Sequence, residues 1–555
     1  MHWLHYANAS PLRARRMTRA QPRPGLTLAL VCLPVFIGAL DLTVISAVLP
    51  AVLSDLKVPV QTRLDDAAWA VSGYLLAYAV SMTFMGRVSD VWGRRQVYLV
   101  CLAVFFVGSW LVAASPGWPA QALYGGVRLV AGGRPDASLM ALYALIFGRM
   151  VQAFGAGALV PVSMALVADL YPPRARALPL GVVGAVDTAG WVLGHLYGGI
   201  TVQFFPWPYL FWINLPVVAL MFAVTAWALR DLRSAQSAGG VDWLGAGLIA
   251  LALIGLNLGL GAGSLTTGPV GGAAARPPYA FAALFAALIC FVAFLRIERR
   301  VASPLINLQI FADCSLAAAG GLNLLVGFCL MVGLVSVPLF INVAGASDSG
   351  QAALVSGYLL SAFTVPLALA AVPGGWLVGR IGFRGGTVLG VLLAIGGFGL
   401  MARWRPEMAG QAVAFVQAWG GVGGPTGESV AGTLRMAFGL LLAGAGLGLT
   451  FAPIGATVIN SVDESERGMA SALVIILRLI GMSVSVSTLT AYGLRRSTVL
   501  GRELLADAQP ADLGRLFDAA LQVATRVTVE MAWIAAAVCA AALVPALWLR
   551  RGHTA

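Results

Sequence analysis

Long apolar runs follow one another along almost the whole chain, and short polar gaps separate them. Runs of about 18 or more apolar residues read as membrane-spanning helices. The pattern predicts fourteen, at roughly 26–52, 66–86, 96–114, 139–169, 178–203, 209–229, 243–263, 278–296, 315–342, 352–378, 386–402, 433–458, 467–492 and 529–549. A transmembrane barrel would instead show segments of about ten residues with alternating polarity; none is visible. The fold class expected is an all-α polytopic membrane protein.

Composition agrees. Of 555 residues 59% are hydrophobic and 10% charged, with mean hydropathy +0.87; a soluble domain carries about 25% charge. The net charge of +12 would raise the question of nucleic acid in a soluble protein. Here the arginines lie in the gaps, where the positive-inside rule accounts for them, and no nucleic-acid partner is expected. With the N-terminus cytoplasmic, 20 arginines fall on the inner side, and 12 basic residues on the outer side, mostly in long segments at 115–138, 403–432 and 493–528. Arg495 and Arg496 run against the rule. Both termini are therefore expected inside. Residues 1–24 are basic and proline-containing, unlike a cleavable signal, and read as a cytoplasmic tail.

The six cysteines sit in or beside apolar runs without a CxxC pair and read as small apolar residues. There is no HExxH, P-loop or ordered Ser–His–Asp set. Neither an enzyme nor a cofactor or bound metal is expected.

The densest charge is in GRVSDVWGRR (86–95), between the second and third runs. An echo occurs 289 residues later. Aligning Gly375 with Gly86 places Gly382 on Gly93 and Arg384 on Arg95, while Asp90 meets Gly379. Two membrane halves repeated in this way are a transporter architecture.

This loop resembles the G-x-x-x-D-R-x-G-R-R motif of the major facilitator superfamily. Gly86, Asp90, Gly93, Arg94 and Arg95 match, and Val91 replaces the first Arg. ALDLTVISAVLPAV (39–52) resembles the first-span signature of the 14-span drug:proton antiporter branch, through Asp41, Thr43, Leu49 and Pro50. GRMVQAFGAGA (148–158) resembles the fourth-span motif, through Arg149, Gln152 and Gly155. GWVLGHLYGG (190–199) resembles the fifth-span antiporter motif through Gly190, Gly194, Gly198 and Gly199, with His195 in place of the proline. PYLFWINLPV (208–217) and ERGMASALVIILRLIG (466–481) extend the likeness to spans 6 and 13.

The resemblance implies a major facilitator fold of two six-helix bundles plus two inserted central helices. It divides the chain into the tail (1–24), an N-terminal bundle (25–230), a linker with spans 7 and 8 (231–300) and a C-terminal bundle (301–552) with long outer loops at 403–432 and 493–528. It implies a monomeric plasma-membrane transporter exporting amphipathic or cationic small molecules against protons. The partners would be that substrate, the proton and the lipid bilayer.

Candidate chemistry follows from charge at bilayer depth. A charged side chain there costs about 2.5–3.5 kcal/mol on insertion scales, so it must face a partner or a cavity. Asp41 is a candidate proton site, or a buried residue paired within its bundle. Arg149 is implied to take part in coupling, attracting and releasing a carboxylate such as Asp41; a fixed ion pair is the alternative. Arg478 reads as a structural intramembrane charge. Asp187 and His195 in span 5 lie about 80° apart around a helix and about 12 Å along it. They could line one cavity as a relay, or His195 could bond across a helix contact while Gly190, Gly194 and Gly198 pack closely. Asp90, Arg94, Arg95, Gly86 and Gly93 are expected to form a cytoplasmic latch, with Asp90 pairing an arginine or capping a helix of the other half; topology alone is the competing explanation. Trp69, Tyr74, Tyr78, Trp191, Tyr197, Phe211 and Trp212 could hold a lipophilic cation or simply pack. Two rival functions remain open: a carrier for one metabolite, and a non-transporting sensor or enzyme.

Overall fold

The computed structural model describes residues 24–58, 60–230, 240–261, 279–301, 304, 313–344, 349–420, 426–504 and 513–549. The basic tail and parts of the 231–300 and 403–432 segments lie outside them.

Sixteen helices are described. In the N-terminal half they are α1 (Pro24–Asp55), α2 (Val60–Trp92), α3 (Arg94–Ala113), α4 (Trp118–Ala131), α5 (Ala137–Gly157), α6 (Leu159–Leu170), α7 (Ala177–Phe204) and α8 (Tyr209–Ala228). An inserted pair follows, α9 (Trp243–Gly261) and α10 (Tyr279–Glu298). The second half holds α11 (Cys314–Ala344), α12 (Ser349–Met401), α13 (Pro406–Gly420), α14 (Gly427–Asn460), α15 (Arg467–Leu504) and α16 (Leu513–Trp548).

Nine helical stretches among the described residues are long and apolar enough to cross a membrane. The fourteen expected spans map onto the helices as follows. Two expected spans run together in α12, which is broken only by Gly382 at φ 73. Four further expected spans are the helices α2, α7, α9 and α15. The segments expected as long outer loops are largely helical. α4 fills most of 115–138, α13 lies in 403–432, and α15 and α16 continue well beyond the apolar cores predicted for them. The sequence 516–527, read as a short amphipathic helix, is the opening of α16.

Each half has its own core. In the first, α1 packs on α7, and α5 on both α2 and α3; in the second, α12 packs on α14, and α11 on α15 and α16. Val337, Phe340, Phe363, Phe398 and Met531 centre the second core, where the Cys539 and Cys329 thiols lie 3.4 Å apart. The inserted α9 and α10 pair with each other, and α9 leans on α2 and α15.

Glycine decides how closely the helices approach. A Cβ on Gly190 would stand 2.6 Å from that of Ala39, and one on Gly198 2.9 Å from the Val44 carbonyl. One on Gly194 would collide with Thr43 Oγ1 and the Leu40 carbonyl. The motif glycines of α7 therefore seat it against α1. Gly199 is outside the described side chains.

The repeat seen in sequence is a repeat in space. Gly93, at φ 98, and its counterpart Gly382, at φ 73, both occupy backbone that favours glycine. Gly86 brings the end of α2 against the start of α15, where its Cβ would lie 2.5 Å from the Gly468 carbonyl. Gly375 brings α12 against the start of α7, 2.6 Å from the Ala177 carbonyl. Each half thus lays one helix on the opening turn of the other half's equivalent helix.

Candidate functional site

Charged side chains gather in two places: at the end that carries the 86–95 loop, and in the middle of the helices. At the loop end, Asp90 is fully buried. Its Oδ1 accepts the Gly468 N–H at 3.0 Å, and its Oδ2 the Met469 N–H at 2.9 Å. It therefore caps α15 of the other half, where the free N–H groups and the helix dipole favour an anion. Arg94, also fully buried, reaches Asp90 at 3.4 Å and donates to the Glu464 carbonyl at 2.7 Å and the Ala165 carbonyl at 3.0 Å. It also pairs with Asp169. Arg95 turns elsewhere and donates to the Ala226 carbonyl at 3.2 Å. Both alternatives weighed for Asp90, the pairing and the cap, are realised together.

Two further contacts cross between the halves here. Arg467 pairs with Asp169 at 3.2 Å. Arg176 Nη1 donates to Asn460 Oδ1 at 3.0 Å. The differences 467 − 176 and 460 − 169 are both 291, as is that between Gly468 and Ala177, which the repeat glycines Gly86 and Gly375 meet; the repeat is offset two residues more here than in the loop, and the two contacts are repeat equivalents, one ionic and one neutral. Burial, and next the nearby Arg467 guanidinium, press the Arg176 pKa below its usual value.

Deeper in, α1 and α5 bring Asp41 and Arg149 together. Arg149 Nη1 donates to Asp41 Oδ2 at 2.5 Å and Nη2 to the Asp41 carbonyl at 3.0 Å. Gln152 accepts from Arg149 at 2.8 Å and donates to Ser109 at 2.9 Å. Asn214 donates to Asp41 Oδ1 at 3.4 Å. The guanidinium lies 4.0 Å from the centre of the Tyr74 ring and 5.8 Å from that of Phe211. Asp41 and Arg149 are 1% and 0% exposed, so the pair is shielded from bulk solvent.

The second deep pair crosses the interface. Arg478 Nη2 on α15 lies 3.3 Å from Asp187 Oδ2 on α7, and its guanidinium faces Phe451 at 4.9 Å and Trp191 at 5.8 Å. Sequence reasoning had set Asp187 beside His195 and left Arg478 without a named partner. The separation of 291 residues supplies the missing signal. Asp187 and Arg478 are repeat equivalents of each other, so a pseudo-twofold relation brings them face to face. The His195 side chain lies outside the described ones. Asn214, Ser109 and Asp169 carried no sequence signal of their own; neutral or isolated polar residues in apolar runs declare nothing until a partner is placed.

The cross-half hydrogen bonds between described residues run from the loop end, through Ser471 and the Pro161 carbonyl at 2.8 Å, to the Asp187–Arg478 pair. From mid-depth to that end the halves are joined.

Comparison with known proteins places this arrangement. Residues 31–242 match the Major Facilitator Superfamily. A triacylglyceride transporter of Mycolicibacterium hassiacum is 31% identical over 503 residues, covering 90% of this chain and 84% of its own. The chain belongs to the major facilitator superfamily. A probable triacylglyceride transporter of Mycobacterium leprae is 33% identical, covering 86% of each chain. The human organic anion transporter MFSD10 shares the fold at TM-score 0.52 and 17% identity, covering 94% of this chain and 100% of its own. The proton:xylose symporter XylE does so at 0.53 and 15%, covering 93% and 94%. This superfamily member is thus a polytopic membrane transporter and not an enzyme. These relatives show the superfamily, and the drug:proton antiporter branch that the motifs suggest is a finer expectation than they reach.

Proposed function

We propose that this facilitator exports an apolar or amphipathic molecule of the glyceride class by proton-coupled alternating access. The substrate class is taken from the relatives named as triacylglyceride transporters, at 31–33% identity over 84–90% of this chain. The Asp41–Arg149 network carries the coupling reading. A buried carboxylate held by one arginine can exchange that arginine for a proton, and Gln152 and Asn214 are placed to hold either form.

With the N-terminus cytoplasmic, the joined end faces the cytoplasm and the arrangement is the outward-facing one. Asp90, Arg94, Asp169 and Arg467 latch it, and Asp187 with Arg478 closes it at mid-depth. Opening inward requires both to separate, and protonation of Asp187 would release Arg478.

Export of a lipophilic cation is the second reading. The motifs of spans 1, 4 and 5 favour it, as do the Tyr74 and Trp191 rings, which already face guanidinium groups.

One experiment separates them: efflux of a fluorescent diacylglyceride or triacylglyceride, and of a lipophilic cationic dye, from vesicles bearing wild type or Asp41→Asn, with and without a protonophore. Protonophore- and Asp41-dependent movement of the glyceride supports the proposal. Movement of the dye alone transfers the assignment to drug export, and glyceride movement unaffected by either treatment removes proton coupling.

A further inference from the structure

Set between the halves in sequence, α9 and α10 lie across both of them in space. Gly255 and Gly259 join the two helices into one unit. A Cβ on the first would lie 2.8 Å from the Ala283 carbonyl, and one on the second 2.9 Å from the Ala280 carbonyl. Only 17% of the apolar stretch of α10 is buried, so the unit is held chiefly through α9, which packs on α2 and α15. That contact falls on the latch. The Trp243 ring stands 6.2 Å from that of Phe84 and 6.5 Å from that of Trp92, and these two residues of α2 bracket Gly86 and Asp90. Ala246 and Ile249 of α9 and Phe294 of α10 share one apolar cluster with Met469 and Leu473 of α15. Met469 is a residue whose N–H the Asp90 carboxylate accepts. The first turn of α15 is therefore gripped twice, its backbone by Asp90 and its side chains by the inserted pair. The apolar cover also keeps water from the capping bonds, which are stronger in a dry setting.

We propose that α9 and α10 are a brace on the latch. They hold the joined end shut by packing across α2 and α15, stay with α2 when the halves part, and release α15. The inference rests on the alternating-access reading above. The direction of release follows from the two contacts. Trp243 is set against two aromatic rings of α2, whereas α15 offers the side chains of Met469 and Leu473. An apolar contact of that kind parts without stranding a polar group, and lipid tails fill the space left. A hydrogen-bonded brace would have to be unpaired at every opening.

Spin-label distances in the full chain, reconstituted in lipid nanodiscs, test the brace. Labels go on Leu220→Cys of α8, Phe291→Cys of α10 and Val544→Cys of α16, which are 65%, 43% and 54% exposed. They are taken two at a time in a Cys290→Ser/Cys314→Ser background, since the other four native cysteines are buried. Asp187→Asn supplies the opened state. The Leu220–Val544 and Phe291–Val544 distributions should both gain a longer population of the same fraction, and Leu220–Phe291 should keep a single one. Ile249→Ala/Phe294→Ala trims the brace and leaves the latch residues intact. With Asp187 present it should raise the opened-to-joined ratio by roughly three- to tenfold, the scale of single contacts between membrane helices. Ile249→Val should shift the ratio the same way by less, and serves if the double variant does not fold. Leu288→Ala, on the exposed face of α10, should change nothing. A second population in Leu220–Phe291, or none in Phe291–Val544 where Leu220–Val544 has one, would overturn the proposal, because the pair would then ride with α15 or move by itself. A ratio unchanged by the α9 and α10 substitutions would also overturn it. If Leu220–Val544 keeps one distance in Asp187→Asn, the halves do not part, and alternating access falls together with the brace; the other failures leave that reading standing.

Discussion

The Asp187–Arg478 pair invites a direct test, because its two members are repeat equivalents. Replacing Asp187 with Asn leaves Arg478 inside the interface without its counter-charge, and Arg478→Gln strands Asp187. Their side chains are 3% and 9% exposed, so solvent screening is slight. At 3.3 Å the gross attraction is about 5 kcal/mol at an effective dielectric of about 20. Desolvation of both ions offsets part of that in the intact pair. Breaking a buried pair from one side typically costs about 3–5 kcal/mol. Local rearrangement should absorb part of it, leaving about 2–3 kcal/mol against the joined state, or about 30- to 150-fold in the equilibrium between conformations. Hydrogen–deuterium exchange of peptides covering 86–95 and 464–472 reads that equilibrium, since these segments separate when the joined end opens. Each single substitution should speed exchange there and leave the core peptides of α12 and α14 unchanged. The double exchange Asp187→Arg/Arg478→Asp reverses the polarity while keeping one acid and one base at the paired positions. It should recover at least about 2 kcal/mol relative to the sum of two single charge reversals, Asp187→Arg and Arg478→Asp, as a coupling energy. If the double variant is no better than that sum, the pair does not hold the halves together and the reasoning fails.

Further outcomes are expected at single positions. Asp41→Asn should abolish proton-driven transport and lower the melting temperature, because Arg149 loses its counter-charge at a cost of about 3–5 kcal/mol; a thermal melt beside a flux assay reads both, and an unshifted melt would contradict the closed network. Asp90→Asn should weaken the two N–H bonds that cap α15 by about 1–3 kcal/mol and accelerate amide exchange at Gly468 and Met469 selectively. Gly194→Val should prevent α7 from seating on α1, seen as loss of folded protein in detergent chromatography. In contrast, Gly247→Ala, where an added Cβ meets open space, should be neutral or stabilising by up to about 1 kcal/mol. Gly93→Ala should cost about 1–2 kcal/mol at its positive φ and weaken the turn between α2 and α3, with a lowered melting temperature as the readout.

The architecture was legible because bilayer length and apolarity leave a plain trace in the sequence, and because the latch loop concentrates charge where charge is scarce. Asp41, Arg149, Asp187 and Arg478 stood out for the same reason: each is expensive inside a span and so demands a partner. Which partner was another matter. Asp41 with Arg149 was a named possibility; Asp187 with Arg478 was not, because a periodicity argument works along one helix and their relation lies between halves. Arg467, Asp169, Arg176 and Asn460 sit at helix ends, where polar residues are ordinary, and only the crossing of the chain gives them meaning. The segments around 403–432 and 493–528 were read as loops because their helices are amphipathic and too polar for a search tuned to membrane cores.

The face-to-face placement of Asp187 and Arg478 bears on how such a molecule could arise. In an assembly of two identical halves, a position on the twofold axis meets its own copy. It would present two carboxylates or two guanidiniums to each other, a repulsion in an apolar interior. An acid–base pair at a self-facing position is available only to halves joined in one chain and free to diverge. This closure is therefore a property of the fused protein that no symmetric dimer of either half could have possessed.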